Sequence, residues 1–75
     1  ENKKEAVKYY KAAAHRLNVE GAYNYAQMLY KGDGIPENKK EAAEYFKIAA
    51  DLGNAEARNK YGEMLRDGEV VRKMK

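Results

Sequence analysis

The six residues at positions 1–6, Glu-Asn-Lys-Lys-Glu-Ala, recur letter for letter at positions 37–42. Sliding the chain against itself by 36 residues extends the match without a gap from residue 1 to residue 39. Of those 39 aligned positions 17 are identical, among them Tyr9/Tyr45, Asn18/Asn54, Tyr25/Tyr61, Met28/Met64, Leu29/Leu65 and Gly32/Gly68. Tyr10/Phe46, Val19/Ala55 and Ile35/Val71 are near matches. A fixed period of this size constrains the fold strongly. One unit is too small to bury its own apolar face and buries it only against the next copy, which is the logic of a stacked array.

Each unit reads as two helices. Asn38 is a good N-cap, with Glu41 three residues on to complete a capping-box-like exchange, and Asn2 with Glu5 repeats the device. The apolar residues Ala42, Tyr45, Phe46, Ala49 and Leu52 follow helical spacing, as do Ala6, Tyr9, Tyr10, Ala13 and Leu17. Gly53 suits the left-handed residue that ends a helix. Leu17 holds that place in the first copy, which predicts a turn of different shape there. Asn18 and Asn54 then cap a second, shorter helix. Its predicted inward stripe is Ala22, Tyr25, Ala26 and Leu29 in one copy. In the other it is Ala57 or Arg58 with Tyr61, Gly62 and Leu65. The small residues Ala26 and Gly62 are expected to let a neighbouring helix approach closely. In the segment KGDGIP, residues 31–36, Gly32 stops the helix, Gly34 allows a positive φ and Pro36 bars continuation.

Composition narrows the function classes. Fifteen basic and twelve acidic residues give a net charge of +3. The signs are interleaved along helix faces rather than gathered into a nucleic-acid footprint, so no nucleic-acid partner is expected. No apolar run is long enough to span a bilayer, so membrane insertion is not expected either. There is no signal-peptide pattern. The compartment is left open, with the cytoplasm slightly favoured, and the chain reads as an excerpt of something longer. The absence of cysteine removes disulfides and thiolate metal sites. His15 is the sole histidine and cannot by itself build a metal cage; near a helix end it suits the C-terminal dipole. Tyr9, Tyr10, Tyr25, Tyr45 and Tyr61 read as core by their spacing. The Gly32-Asp33-Gly34 loop lacks the frame of a phosphate loop. Without serine there is no Ser–His–Asp set. Glu41 and Glu44 are explained by the dipole of a helix start. No catalytic residue, cofactor or metal is expected.

Two blocks carry a family likeness. The first is Tyr25-Ala26-x-x-Leu29-Tyr30-x-Gly32-x-Gly34-Ile35. The second is Asn38-x-x-Glu41-Ala42-x-x-Tyr45-Phe46-x-x-Ala49-Ala50-x-x-Gly53. Together they resemble the Sel1-like repeat, a relative of the tetratricopeptide repeat with a glycine-x-glycine loop between its paired helices. The ordinary tetratricopeptide repeat, with a period of about 34 residues and no such loop, is the alternative. The resemblance implies an all-α fold: a right-handed α/α superhelix with four antiparallel helices. Residues 1–17 would be the second helix of one repeat, 18–53 a full repeat, and 54–75 the first helix and loop of the next. The last loop departs from the pattern, with Val70 where Gly34 stood and Arg72 where Pro36 stood. Some secreted relatives staple each repeat with a disulfide, a branch that a chain without cysteine does not support.

Such arrays act as adaptors, so the resemblance implies a protein–protein interaction scaffold holding a protein or peptide on its concave surface. A non-catalytic regulatory segment of a larger enzyme, such as a kinase, is the alternative. The shorter helix of each pair, placed by the resemblance on the concave side, offers Tyr23, Asn24, Gln27 and Tyr30. The next unit offers Asn59, Lys60 and Glu63. Tyr23 and Tyr30 are the leading contact candidates, because exposed tyrosines supply area and a hydroxyl at low entropy cost. The plainer alternative is that they pack on adjacent helices. The outermost faces, around Ala6, Tyr9 and Tyr10 at one end and Tyr61 and Leu65 at the other, would leave head-to-tail self-association open.

Overall fold

Asparagine caps three helix starts, at Asn18, Asn38 and Asn54, and glycine caps two helix ends, at Gly32 and Gly68. The computed structural model describes residues 3–16 and 18–68. They form α1 (Lys3–His15), α2 (Val19–Lys31), α3 (Lys39–Asp51) and α4 (Ala55–Asp67). Among the described residues there is no strand. Each helix packs antiparallel on the next, α1 on α2, α2 on α3 and α3 on α4.

One asparagine serves two helices at each short connection. The Asn54 N–H donates to the Ala49 carbonyl at 3.0 Å, closing α3, while its Oδ1 accepts from the Ala57 N–H at 2.6 Å, opening α4. Asn18 does the same between α1 and α2, donating to Ala13 at 3.0 Å and accepting from Gly21 at 2.7 Å. Each such N-cap stabilises by about 1 kcal/mol. Gly53, at φ 107°, supplies the left-handed residue that ends α3. The expected Asn2 cap, the Leu17 turn and the altered last loop with Val70 and Arg72 lie outside the described residues.

The longer connection, residues 32–38, is anchored at both ends and on a third helix. Gly32, in the left-handed region, donates to the Met28 carbonyl at 2.8 Å, and Asp33 donates to the same oxygen at 3.0 Å. The Asn38 N–H donates to the Leu29 carbonyl at 2.8 Å. Because that N–H is taken, Glu41 does not reach back to the backbone. Its carboxylate accepts from Asn38 Nδ2 at 3.3 Å, while Asn38 Oδ1 caps the Glu41 N–H at 3.0 Å. The loop also leans on α1. Lys3 Nζ lies 2.9 Å from the Asp33 carboxylate, and a Cβ at Gly34 would sit 3.2 Å from both the Lys3 carbonyl oxygen and Val7 Cγ2.

The core runs through the two central helices. Ala22, Tyr25, Ala26 and Leu29 of α2 are buried as expected, against Ala42, Ala43, Phe46 and Ala49 of α3. The outer helices correct the sequence reading. In α1 the buried residues are Val7 and Ala14, while Tyr9 is 73% exposed. In α4 they are Ala57 and Met64; Tyr61 and Leu65 are half-buried and Gly62 is exposed. Of the five tyrosines read as core, Tyr25 alone is buried; Tyr10, Tyr45 and Tyr61 are half-buried. A central helix has a neighbour on two sides and buries two stripes, whereas an outer helix buries only the stripe that faces inward. Periodicity registers both stripes alike. Leu52 lies just past the end of α3 and is 40% exposed. The expected difference in helix length is also absent, all four helices having 13 residues.

The close approach predicted for Gly62 falls elsewhere. Nothing lies within 4 Å of a Cβ built on Gly62, whereas one built on Gly21 would collide with the Ala13 Cβ and lie 3.1 Å from the Ala13 carbonyl carbon. The tight Asn18 turn forces the first turn of α2 against the last turn of α1. In the other copy Ala57 takes this place and is fully buried. Gly21→Ala is expected to destabilise by about 1–2 kcal/mol, overpacking outweighing the gain in helix propensity. Gly62→Ala is expected to stabilise by up to about 1 kcal/mol. Urea titrations followed by circular dichroism check both, and midpoints moving in the same direction would contradict this account.

Candidate partner-binding surface

Tyr23 and Tyr30 stand seven residues apart on α2 and therefore share a face. Both rings meet Phe46 of α3 edge-on, Tyr23 at 5.8 Å and 61° and Tyr30 at 6.3 Å and 70°. Each such pair is worth about 0.5–1.5 kcal/mol beyond the area it buries. The packing role considered for these tyrosines is therefore real. Both remain half-buried, so part of each ring stays at the surface.

Tyr30 also ties α2 to α4. Lys60 Nζ sits 4.1 Å from the Tyr30 ring centroid, and Lys39 Nζ, at the start of α3, sits 5.0 Å from it. A cation over a ring at an exposed site contributes about 0.5–1 kcal/mol. Of the candidate residues, the structure thus brings Tyr30 and Lys60 together across two units. Asn24 and Gln27 lie half-buried on α2, and Asn59 and Glu63 are exposed on α4. Among the described residues, no hydrogen bond or ion pair engages these four side chains.

A second aromatic pair escaped sequence reasoning. Tyr25 of α2 and Tyr45 of α3 meet at 4.8 Å and 82°. Beside Tyr25 lies a cleft of about 280 Å³ lined also by Leu29, Ile35, Pro36, Asn38 and Glu41. Burial, and then the negative charge of Glu41, push the phenol pKa of both tyrosines up; Glu44 adds to the shift at Tyr45. The two tyrosines are on different helices, so their spacing held no sign of the contact. Their one shared signal is that both flank the KGDGIP loop. Among the described residues no group of His, Cys, Asp or Glu side chains is placed to hold a metal ion, and no buried side-chain polar atom lacks a partner.

Antiparallel helices stacked in order, with a 36-residue unit present in tandem, define the class: a helical-repeat protein of the α/α solenoid type. The model of the Sel1 repeat family matches residues 1–16, 19–54 and 55–73, and the chain belongs to that family. Sel1 repeats are generally protein-interaction repeats and typically non-catalytic. No curated protein and no solved structure matches the chain. Among the described residues, no helix is long and apolar enough to cross a membrane.

The tyrosine pair generates a pH dependence of definite sign. The folded state holds both phenol protons more tightly than the unfolded chain, where the ordinary value is 10.0. The stabilisation is complete below that value and is lost as the unfolded chain releases its protons above it. The urea midpoint is expected to fall as pH rises past 10.0, and to fall less steeply in Tyr45→Phe. Identical slopes in the two proteins would remove Tyr45 from the effect.

Proposed function

We propose that the chain is a protein-interaction scaffold whose α2–α4 surface holds a partner protein or an extended peptide. The contact that carries this reading is the Lys60 ammonium over the Tyr30 ring. In a curved stack of helix pairs, the helices on the inner side come closest to their counterparts in the next unit. A side-chain contact between α2 and α4 therefore supports a concave face bearing Tyr23, Asn24, Gln27, Tyr30, Asn59, Lys60 and Glu63.

The chemistry of that face suits a polypeptide. Tyrosine rings anchored on Phe46 offer apolar area that is already ordered, so little side-chain entropy is lost on binding. The Asn24 and Gln27 amides can donate to and accept from the backbone of an extended peptide. Lys60 and Glu63 fix charge preference at the rim. The same reading makes residues 1–17 the second helix of one repeat, 18–53 one full repeat, and 54–75 the first helix and loop of the next. Their stacking is taken as a right-handed superhelix.

Peptides selected from a random display library against the folded chain test the proposal. Amide shifts in two-dimensional NMR are expected to concentrate on α2 and α4. The Asn24→Ala, Gln27→Ala, Lys60→Ala triple variant should lose at least about tenfold in affinity, or about 1.4 kcal/mol, while retaining its helical spectrum. Shifts gathered on the outer faces of α1 and α3, or an unchanged affinity, would sink it.

A further inference from the structure

The chain's net charge of +3 equals that of a single helix. α1 carries four lysines and one glutamate, a net +3 with His15 neutral. α2 has one lysine and one glutamate, and α3 and α4 each have three residues of either sign, so all three balance. Three of the α1 lysines, Lys4, Lys8 and Lys11, are exposed and run in line with the exposed His15. Helical geometry puts these four positions within an arc of about 60° and spreads them over about 16 Å of helix. Glu5, the one acid of α1, lies outside that arc. Among the described residues no carboxylate pairs with Lys4, Lys8 or Lys11.

The second copy shows that this stripe faces outward in the array. α3 has α2 and α4 packed against it, and the equivalent positions Lys40, Glu44, Lys47 and Asp51 are nonetheless exposed. Exposure here belongs to the position within the unit and does not depend on where the chain begins. What differs is the charge. Glu44 and Asp51 neutralise the α3 stripe, Asp51 lying 3.2 Å from Lys47 Nζ, whereas Lys8 and His15 take their places on α1. We propose that the outer stripe of α1 docks an acidic segment of a partner protein, with carboxylates meeting Lys4, Lys8 and Lys11. The stripe holds no apolar side chain that could enter a bilayer. A broad anionic surface would also meet Glu44 and Asp51 of the next unit, which repel it; a segment one helix wide meets the lysines alone. Exposed pairs of this kind contribute little each and are screened by salt, so the contact is weak. It shares no residue with the α2–α4 surface.

An oligoglutamate peptide titrated against the folded chain, with amide shifts read by two-dimensional NMR, tests this. Shifts are expected on α1, with affinity falling several-fold as salt rises from about 0.01 M to about 0.15 M. The Lys8→Glu, His15→Asp variant gives α1 the acids that α3 already carries, so the fold should hold while affinity drops at least about tenfold. Glu44→Lys, Asp51→His should do the reverse and bring new shifts onto α3. No shifts, shifts confined to α2 and α4, or an affinity unchanged in the Lys8→Glu, His15→Asp variant would each overturn the proposal. So would binding to phosphatidylserine vesicles without binding to the peptide.

Discussion

Every helix in this chain depends on its neighbours for burial. At 13 residues each, all four are at the margin of what holds together alone in water. What stabilises α2 is that α1 and α3 cover it from two sides; what stabilises α3 is α2 and α4. Phe46 shows the arrangement most clearly. It has no exposed surface, and the rings of Tyr23 and Tyr30 close over it from α2. Truncating such a residue costs about 3–5 kcal/mol, a large share of the stability of any domain this small. Stability here passes from helix to helix rather than radiating from one centre.

The short turns set the geometry of that exchange. Because Asn18 and Asn54 each close one helix and open the next, only three residues separate the paired helices at each short connection, and the helices meet closely there. That approach leaves no room for a Cβ at Gly21 in one copy, and in the other the place is taken by the fully buried Ala57. The connection from α2 to α3 solves a different problem. It carries the chain back across the end of α1, and Gly34 is the residue that lets the loop lie against Lys3 and Val7.

This division explains what could be read from the letters. Caps and turns were legible because their chemistry is local: Asn38, Asn54, Gly32 and Gly53 act within a few residues of themselves. The α2 stripe was legible because a fully covered helix buries everything its periodicity offers. The burial of Val7, Ala14 and Met64, and the exposure of Tyr9, were not, since they depend on which side of an outer helix has a neighbour. Nor were the Gly21–Ala13 approach and the Tyr25–Tyr45 pair, which are properties of two helices at once. At the candidate surface, residue choice followed from the resemblance, which puts α2 and α4 on one side. The bridge from Tyr30 to Lys60 had no sequence signature.

The two copies differ at every candidate position of the surface proposed above to hold a partner. Several packing and capping positions repeat, Ala6/Ala42, Asn18/Asn54, Met28/Met64 and Gly32/Gly68, although the buried Ala22 and Ala26 become Arg58 and Gly62. Along the α2–α4 surface each candidate has changed: Tyr23 to Asn59, Asn24 to Lys60, Gln27 to Glu63, Tyr30 to Arg66. Exposure alone does not account for this. Lys4/Lys40 and Lys11/Lys47 are exposed on α1 and α3 and are the same in both copies. A largely shared framework whose α2–α4 face varies from unit to unit presents a different set of groups at each step. Under the proposed function, an array built that way suits a partner that does not itself repeat. The aromatic, uncharged face of α2 and the charged face of α4 are two such steps.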